Sequence, residues 1–198
     1  MNQPKKMDRR IARTRRALKS ALIELSLEKG YEQISIRDLT HRADIGYATF
    51  FRHFRSKDEL ATYCMHAVIT EVFAAIESAS TLEEECLAVY ERLEKHRDLC
   101  FFGLALPRNH PALQPILEEA LNWVSTIYMA RDEESIPWEV AANHLVNSTV
   151  ELVRWWLTDG QDYSSEQMAL MQNELIIKVT ENVALNRRMQ TPREAALE

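Results

Sequence analysis

SIRDLTHRADIGYATFFRHFRSKDEL, residues Ser35 to Leu60, reads as two short helices around a tight turn that run straight into a third helix. Ser35 with Asp38 three positions on is a capping box, in which hydroxyl and carboxylate each take an amide left over at a helix start. A helix therefore begins near Ile36. Ile36, Leu39 and Ala43 fall at i, i+3 and i+7 on one face, and Ile45 supplies the apolar residue expected just past the turn Ala43-Asp44-Ile45-Gly46. Beyond that turn Phe50 and Phe54 are four apart and pack inward. Tyr47, Ala48 and Phe51 are left outward, with Thr49 and His53 nearer the edge. Ser56 with Glu59 is a second capping box. A new helix starts there with Lys57 in its first turn, where free amides and the positive dipole end favour a phosphate. A helix-turn-helix with an exposed reading face implies contact with double-stranded DNA.

The chain on either side agrees. Over residues 8–29, Ile11, Leu18, Leu22 and Leu25 form an apolar stripe at helical spacing with Arg9, Arg13 and Arg16 on another side, and Gly30 ends the helix. Beside the motif, that arginine face is a candidate for salt-dependent phosphate contact as well as for ordinary solvation. Met1 to Met7, with Pro4, Lys5 and Lys6, is expected to be a frayed basic arm. Residues 1–57 hold 14 Lys or Arg against 6 Asp or Glu, net +8, whereas the other 141 residues hold 10 against 24, net −14, within a total of −6. A basic end suits DNA, and an acidic body is kept off it.

The motif resembles that of the TetR family of bacterial transcriptional regulators, in Ser35, Arg37, Leu39, Ala43, Ile45, Thr49, Phe50, Phe51, His53, Phe54 and Lys57. The resemblance implies that Arg37 and Tyr47 read base edges, Arg37 suiting the bidentate grip of a guanine. It further implies that Ala48 touches a thymine methyl and that Ser35, Thr49, His53 and Lys57 hold phosphates. Three positions depart from the family pattern. Asp44 stands where a turn Gly is usual, and it tolerates the left-handed conformation better than most residues. Phe51 replaces a Tyr, so only a ring contact is left there. Gly46 stands where a small polar residue could cap the recognition helix.

With 4 Gly and 6 Pro in 198 residues, and no stretch that alternates as a strand, the expected fold is all-α. A long helix from Ser56 to about Ser78 carries Leu60, Cys64, Val68, Val72 and Ile76. It is followed by a helix over 82–96, a short apolar segment over 99–106 closed by Pro107, and a helix over 111–130. After a charged loop over 131–137 comes a helix marked by Trp138, Ala141, Leu145, Thr149, Leu152 and Trp156. The last, over 165–187, carries Met168, Met171, Leu175, Val179 and Val183. The expected architecture has about nine helices. It comprises a three-helix DNA-binding domain at 1–57, an effector-binding and dimerisation domain at 58–188, and a tail at 189–198.

The resemblance implies a homodimer and a small-molecule effector. Residues 137–159 and 163–186 each carry more apolar surface than one contact needs, which suits a helical dimer interface, although Trp155 and Trp156 could equally be core. A two-fold dimer also reads two half-sites where one recognition helix reads only a few base pairs. For the effector, His66, His96, Cys100, Phe101, Phe102, Trp123, Tyr128 and His144 offer large apolar walls with a few polar groups. The expectation is a ligand-responsive, sequence-specific regulator, a repressor by the family's commoner habit. The alternative is a helical protein-interaction co-regulator with weak or vestigial DNA binding.

No phosphate loop, nucleophile elbow or metal-ligand spacing occurs, so neither an enzyme nor a cofactor is expected. Cys64, Cys86 and Cys100 lack a Cys-x-x-Cys spacing and read as small core residues, and Cys64 and His66 diverge on one helix. The first 30 residues lack the apolar run of a secretory signal and no apolar stretch approaches 18 residues. A cytoplasmic protein without a membrane partner is expected.

Overall fold

In the computed structural model, which describes residues 4–107, 109–130 and 136–187, α1 runs from Pro4 to Lys29. Proline suits a first helical turn, where its missing N–H is not needed. The arm expected over Met1 to Met7 is thus helical from Pro4, and Met1 to Gln3 lie outside the described residues. Leu18, Ala21, Leu22 and Leu25 are buried, but Ile11 is 38% exposed, so the apolar stripe outruns the core at this end. Gly30 closes α1 at φ 79°, ψ 148°, a conformation only glycine adopts readily, and its amide donates to Ser26 O at 3.0 Å. A 3-10 turn follows at Tyr31–Gln33.

The helix-turn-helix is α2 (Ile36–Arg42) and α3 (Tyr47–Phe51), and α4 (Lys57–Ser78) follows. Next come α5 (Leu82–Lys95) and α6 (Arg97–Ala105), the latter a helix where only a short apolar segment was expected. α7 (Gln114–Ile127) is shorter than the span 111–130. Its expected end is instead β1 (Tyr128–Ala130), antiparallel to β2 (Leu185–Arg187), with Tyr128 opposite Arg187 and Ala130 opposite Leu185. Three-residue strands are too short to show a period, which is why they were read as helix ends. α8 (Trp138–Thr158) opens after Pro137 as expected. Residues 131–135 of the charged loop, and the tail, lie outside the described residues.

The last helical run corrects the sequence reading in a useful way. It comprises α9 (Ser165–Gln172), a π-helical turn at Asn173–Ile177 and α10 (Lys178–Val183), and ends before β2. Counted as one, it gives nine α-helices among the described residues. A π turn inserts about one extra residue per turn, which rotates everything after it by about 100°. The supposed single stripe is therefore split. Met168 is buried along with Ile176, Ile177 and Thr180, while Leu175, Val179 and Val183 are 67%, 48% and 52% exposed.

α4 is long and apolar enough, by length and composition, to cross a membrane, contrary to the expectation that no stretch would be. Its apolar side is turned into the protein, since Leu60, Ala61, Cys64, Val68, Val72 and Ile76 are all buried. That is the pattern of a core helix.

The chain divides into two compact units, Met1–Val72 with Arg92–Ile116, and Phe73–Glu91 with Leu117–Glu198. In the first, α1 packs on α2 and α6, and Phe102 of α6 sets its ring 5.5 Å from that of Tyr31. In the second, Trp156 is fully buried, donates its indole N–H to Tyr163 O at 2.9 Å and meets the Tyr90 ring edge-on at 5.3 Å. Trp156 is thus core, while Trp155 is 39% exposed and covers Gly160, where a Cβ would lie 2.6 Å from its ring. The three cysteines are free thiols, and burial pushes Cys64, Cys86 and Cys100 up to about 12, as small core residues behave.

Candidate nucleic-acid interface

The start of α2 is built as its sequence implies. Ser35 N donates to the Asp38 carboxylate at 2.7 Å, and Asp38 N donates to Ser35 Oγ at 3.2 Å. Lys29 reaches the same carboxylate at 2.9 Å. The Ser35 hydroxyl and amide, then Lys29, hold the Asp38 carboxyl well below the usual carboxylate range. The Ser35 hydroxyl also donates to Asp38 at 2.7 Å, so a phosphate here would compete with the cap. Arg42 grips Glu24 at 3.0 Å and Glu28 at 2.7 Å, which ties α2 to α1 and takes this arginine out of the reading face. Arg37 is exposed.

Between the helices, Asp44 stands at φ 51° and Ile45 N donates back to Thr40 O at 3.0 Å. Asp44 fills the left-handed position that the family usually gives to glycine, and the turn forms nonetheless. Alanine there has no side chain to offset the crowding of its Cβ, so Asp44→Ala is expected to cost about 1 kcal/mol, with Asp44→Gly close to neutral. Urea titration of the two variants checks this, and equal midpoints would refute it. Gly46 has ordinary extended backbone at φ −68°, ψ 143° and provides no side-chain cap to α3, as its sequence position indicated.

α3 is held by Phe50 at 0% exposure and by Phe54 at 3%, their ring centroids 6.1 Å apart. With those two inward, Tyr47 at 52% and Phe51 at 46% project outward as an edge-to-face pair 5.2 Å apart, and Ala48 is exposed beside them. Thr49 and His53 lie half-buried at the rim. The guanidinium of Arg52 donates to Thr49 Oγ1 at 2.8 Å. Burial, then the charges of Arg15 and Arg52, hold the His53 imidazole below its ordinary value.

Ser56 caps α4 by accepting from Glu59 N at 3.1 Å, whereas the Glu59 carboxylate accepts from Arg55 N at 2.5 Å, one residue outside the expected box. The Lys57 ammonium is folded back, donating to Tyr31 O at 2.8 Å and lying 4.1 Å from the Tyr31 ring centroid. Tyr31 in turn donates its hydroxyl to Asp58 and meets the His110 ring edge-on at 5.1 Å. This brace under the first turn of α4 is not legible in the sequence, because its partners are 26 residues apart and more. Arg52 was missed too, although its i+4 spacing from Ala48 places it on the exposed side.

The eight residues named for an effector fall in both units. In the first, His66 is exposed, with Thr70 Oγ1 3.3 Å from its Nδ1, and His96 meets Glu71 at 3.0 Å. The His96 and Lys95 side chains hold Glu71 down to about 2. Half-buried Cys100 points its thiol at Leu93 O, and Phe101 and Phe102 border an open cleft of about 280 Å³ with Tyr31 and Leu106. In the second, Trp123 stacks on Phe73 at 4.6 Å, Tyr128 is buried opposite Arg187, and His144 is exposed. What the sequence did not single out are the Tyr90 hydroxyl and the side-chain oxygens of Gln172 and Asn173. All three are buried without a hydrogen-bond partner among the described residues.

Residues 19–64 match the family model of bacterial regulatory proteins of the tetR family. An uncharacterized HTH-type transcriptional regulator, YxbF of Bacillus subtilis (strain 168), is 35% identical over 89 residues, 44% of this chain and 23% of that protein. The HTH-type transcriptional regulator TcmR of Streptomyces glaucescens is 36% identical over 76 residues, 38% of this chain and 34% of that protein. The match thus spans about a quarter to a third of these two curated relatives. The TetR transcriptional regulator from Streptococcus agalactiae 2603V has a similar fold, with a TM-score of 0.64 at 23% identity over 86% of this chain and 97% of that one. A TetR-family regulator from Syntrophomonas wolfei str. Goettingen likewise has a TM-score of 0.64, at 14% identity over 84% and 94%. These relatives and neighbours are regulators rather than enzymes. Residues 19–64, with the capped helix-turn-helix they hold, are thus similar to the tetR family of bacterial regulatory proteins, and the all-α fold over most of the chain is similar to that of solved TetR-family regulators.

Proposed function

We propose that this protein is a sequence-specific DNA-binding transcriptional regulator of the cytoplasm that reads a palindromic operator as a homodimer, represses from it and is released by a small-molecule effector. The observation that carries the reading is α3 itself. Buried Phe50, with buried Phe54 just past the helix, fixes these five residues so that Tyr47, Ala48 and Phe51 project from the basic end of the chain. Arg37 and Tyr47 then read base edges, and Ser35, Thr49, His53 and Lys57 hold phosphates, the last after leaving its Tyr31 perch.

The dimer is supported by apolar side chains that the single chain leaves uncovered. Val140 and Trp155 on α8 are 58% and 39% exposed, and Leu170, Leu175, Val179 and Val183 on the last run are all about half exposed or more. Exposed large apolar side chains on two runs that pack on each other are what an interaction site requires. The effector reading is supported by Tyr90, Gln172 and Asn173, since buried polar atoms are nearly always satisfied by something. A ligand that bound both arrangements of the dimer equally would release nothing, so those groups must be met in one arrangement and not the other.

Selection of bound fragments from random DNA, then titration of the best fragment at two salt concentrations, tests the proposal. The expected product is a palindrome whose half-sites lie about one helical turn, roughly 34–36 Å, or a multiple apart. Its affinity should fall steeply with salt. A folded protein that enriches no sequence, or whose binding ignores salt, would point to the co-regulator alternative.

A further inference from the structure

The cleft bordered by Phe101 and Phe102 lies wholly within the first compact unit, whereas Tyr90, Gln172 and Asn173, which support the effector reading, belong to the second. The end of α1, the 3-10 turn after it and the end of α6 enclose the cleft. Its apolar walls are Leu27, Tyr31, Phe101, Phe102, Leu106 and Pro107, and its volume is about 280 Å³. An apolar cavity of about 150 Å³ holds benzene, so this one has room for a body of roughly two fused rings. Leu27 and Phe101 are 53% and 40% exposed, so the empty cleft leaves large apolar side chains in water. The backbone is bare at Gly30, which also lines it: apart from its chain neighbours, no atom lies within 4 Å of where a Cβ would stand.

The rim of the cleft is negative. Gly30 N takes Ser26 O at 3.0 Å, and the carbonyls of Leu27, Glu28 and Lys29 accept no backbone amide among the described residues. They form the negative end of the helix dipole, which favours a cation. Lys29 and Glu32 are the charged side chains of the lining. The Lys29 ammonium is held by the Asp38 carboxylate at 2.9 Å. The Glu32 carboxylate is not offset in this way, since its side chain is 76% exposed and its closest described partner is His110 Nε2 at 3.8 Å. Lys57, the other ammonium nearby, is outside the lining and engaged by the carbonyl and ring of Tyr31. Aromatic walls add to the same preference, because their faces attract a cation.

We infer that this cleft binds an organic ammonium ion, a protonated amine carried on a ring-sized apolar body, at a site separate from the one that the effector reading invokes. The body fills the space beside Phe101, Phe102 and Leu106, and the ammonium meets the Glu32 carboxylate and the last carbonyls of α1. Such an occupant bridges the ends of α1 and α6. It also touches Tyr31, the residue that holds Lys57 under the first turn of α4.

Calorimetric titration of the full chain with naphthylmethylammonium, naphthylmethanol and naphthoate, which share one body and differ in the head, tests the inference. One ammonium is expected to bind per chain, roughly tenfold more tightly than the alcohol, with the carboxylate weakest. Glu32→Gln, a change at an exposed side chain, should erase the preference for the ammonium and leave the alcohol as it was. Ala105 lines the cleft and is exposed, so Ala105→Trp fills the space without entering the core. That variant should melt as the wild type does and bind none of the three. Phe101→Ala, which removes a half-exposed wall, should weaken all three by a similar factor, so the location does not depend on how one tryptophan settles. Four results overturn the inference: no binding, equal binding of the three heads, a preference that survives Glu32→Gln, or binding that Ala105→Trp and Phe101→Ala both leave intact. The operator reading stands or falls separately, because the titration contains no DNA.

Discussion

Leu175→Glu combined with Val179→Glu is expected to leave a folded chain that sediments as a monomer and binds its operator roughly 10²- to 10⁴-fold more weakly, the range by which a linked second site raises affinity. Both side chains are well exposed, at 67% and 48%, so their replacement should disturb the single chain little. Across a two-fold axis the same patch faces itself, and each new carboxylate would be pressed towards its own copy and out of water. Losing the partner removes one half-site, and with it about half of the phosphate contacts, so the salt slope should also fall by about half. Sedimentation and operator titration of the variant read both effects. A variant that stays dimeric shows that the uncovered stripe serves something else, and a wild type that is monomeric at micromolar concentration removes the dimer altogether.

The stripe also shows where a sequence reading works and where it stops. The Ser35–Asp38 cap, the Gly30 stop and the inward Phe50–Phe54 pair are local, each settled by residues within four positions of one another, and the structure has them as read. The single stripe on the last helix failed because one π turn at Asn173–Ile177 changes the phase, and a periodicity argument assumes that the phase is kept. β1 and β2 were hidden because their partners are far apart in sequence, Tyr128 meeting Arg187. At the candidate interface the outward set Tyr47, Ala48 and Phe51 was legible from helical spacing alone. The engagement of Lys57 with Tyr31 was not, because it depends on how the end of α1 meets the start of α4. The sensor end was least legible. Its unsatisfied atoms on Tyr90, Gln172 and Asn173 are recognisable only once burial is known.

Phe50→Ala and Tyr47→Ala, three residues apart on one short helix, are expected to fail in opposite ways. Phe50 is fully buried and its ring meets Phe51 at 5.4 Å as well as Phe54. Removing it should cost about 3–5 kcal/mol, as for other buried aromatic rings. That is a large part of the roughly 5–15 kcal/mol that holds a domain together. A five-residue helix has no stability of its own to fall back on, so α3 should lose its seat, melting should shift sharply downward and DNA binding should disappear with it. Tyr47 is 52% exposed, with its ring edge-to-face against Phe51, so Tyr47→Ala should melt within about 0.5 kcal/mol of the wild type. Its loss should fall on recognition instead, at about 1–3 kcal/mol for a base-edge contact, or roughly 5- to 150-fold in affinity for the selected operator. Binding to unrelated DNA should hardly change, because phosphate contacts carry no sequence information. Thermal melts and titrations of both variants against operator and random duplex separate the two roles. If Tyr47→Ala keeps full preference for the operator, the outward face of α3 is not the reading surface. If Phe50→Ala melts like the wild type, that face is not held in place as its burial implies.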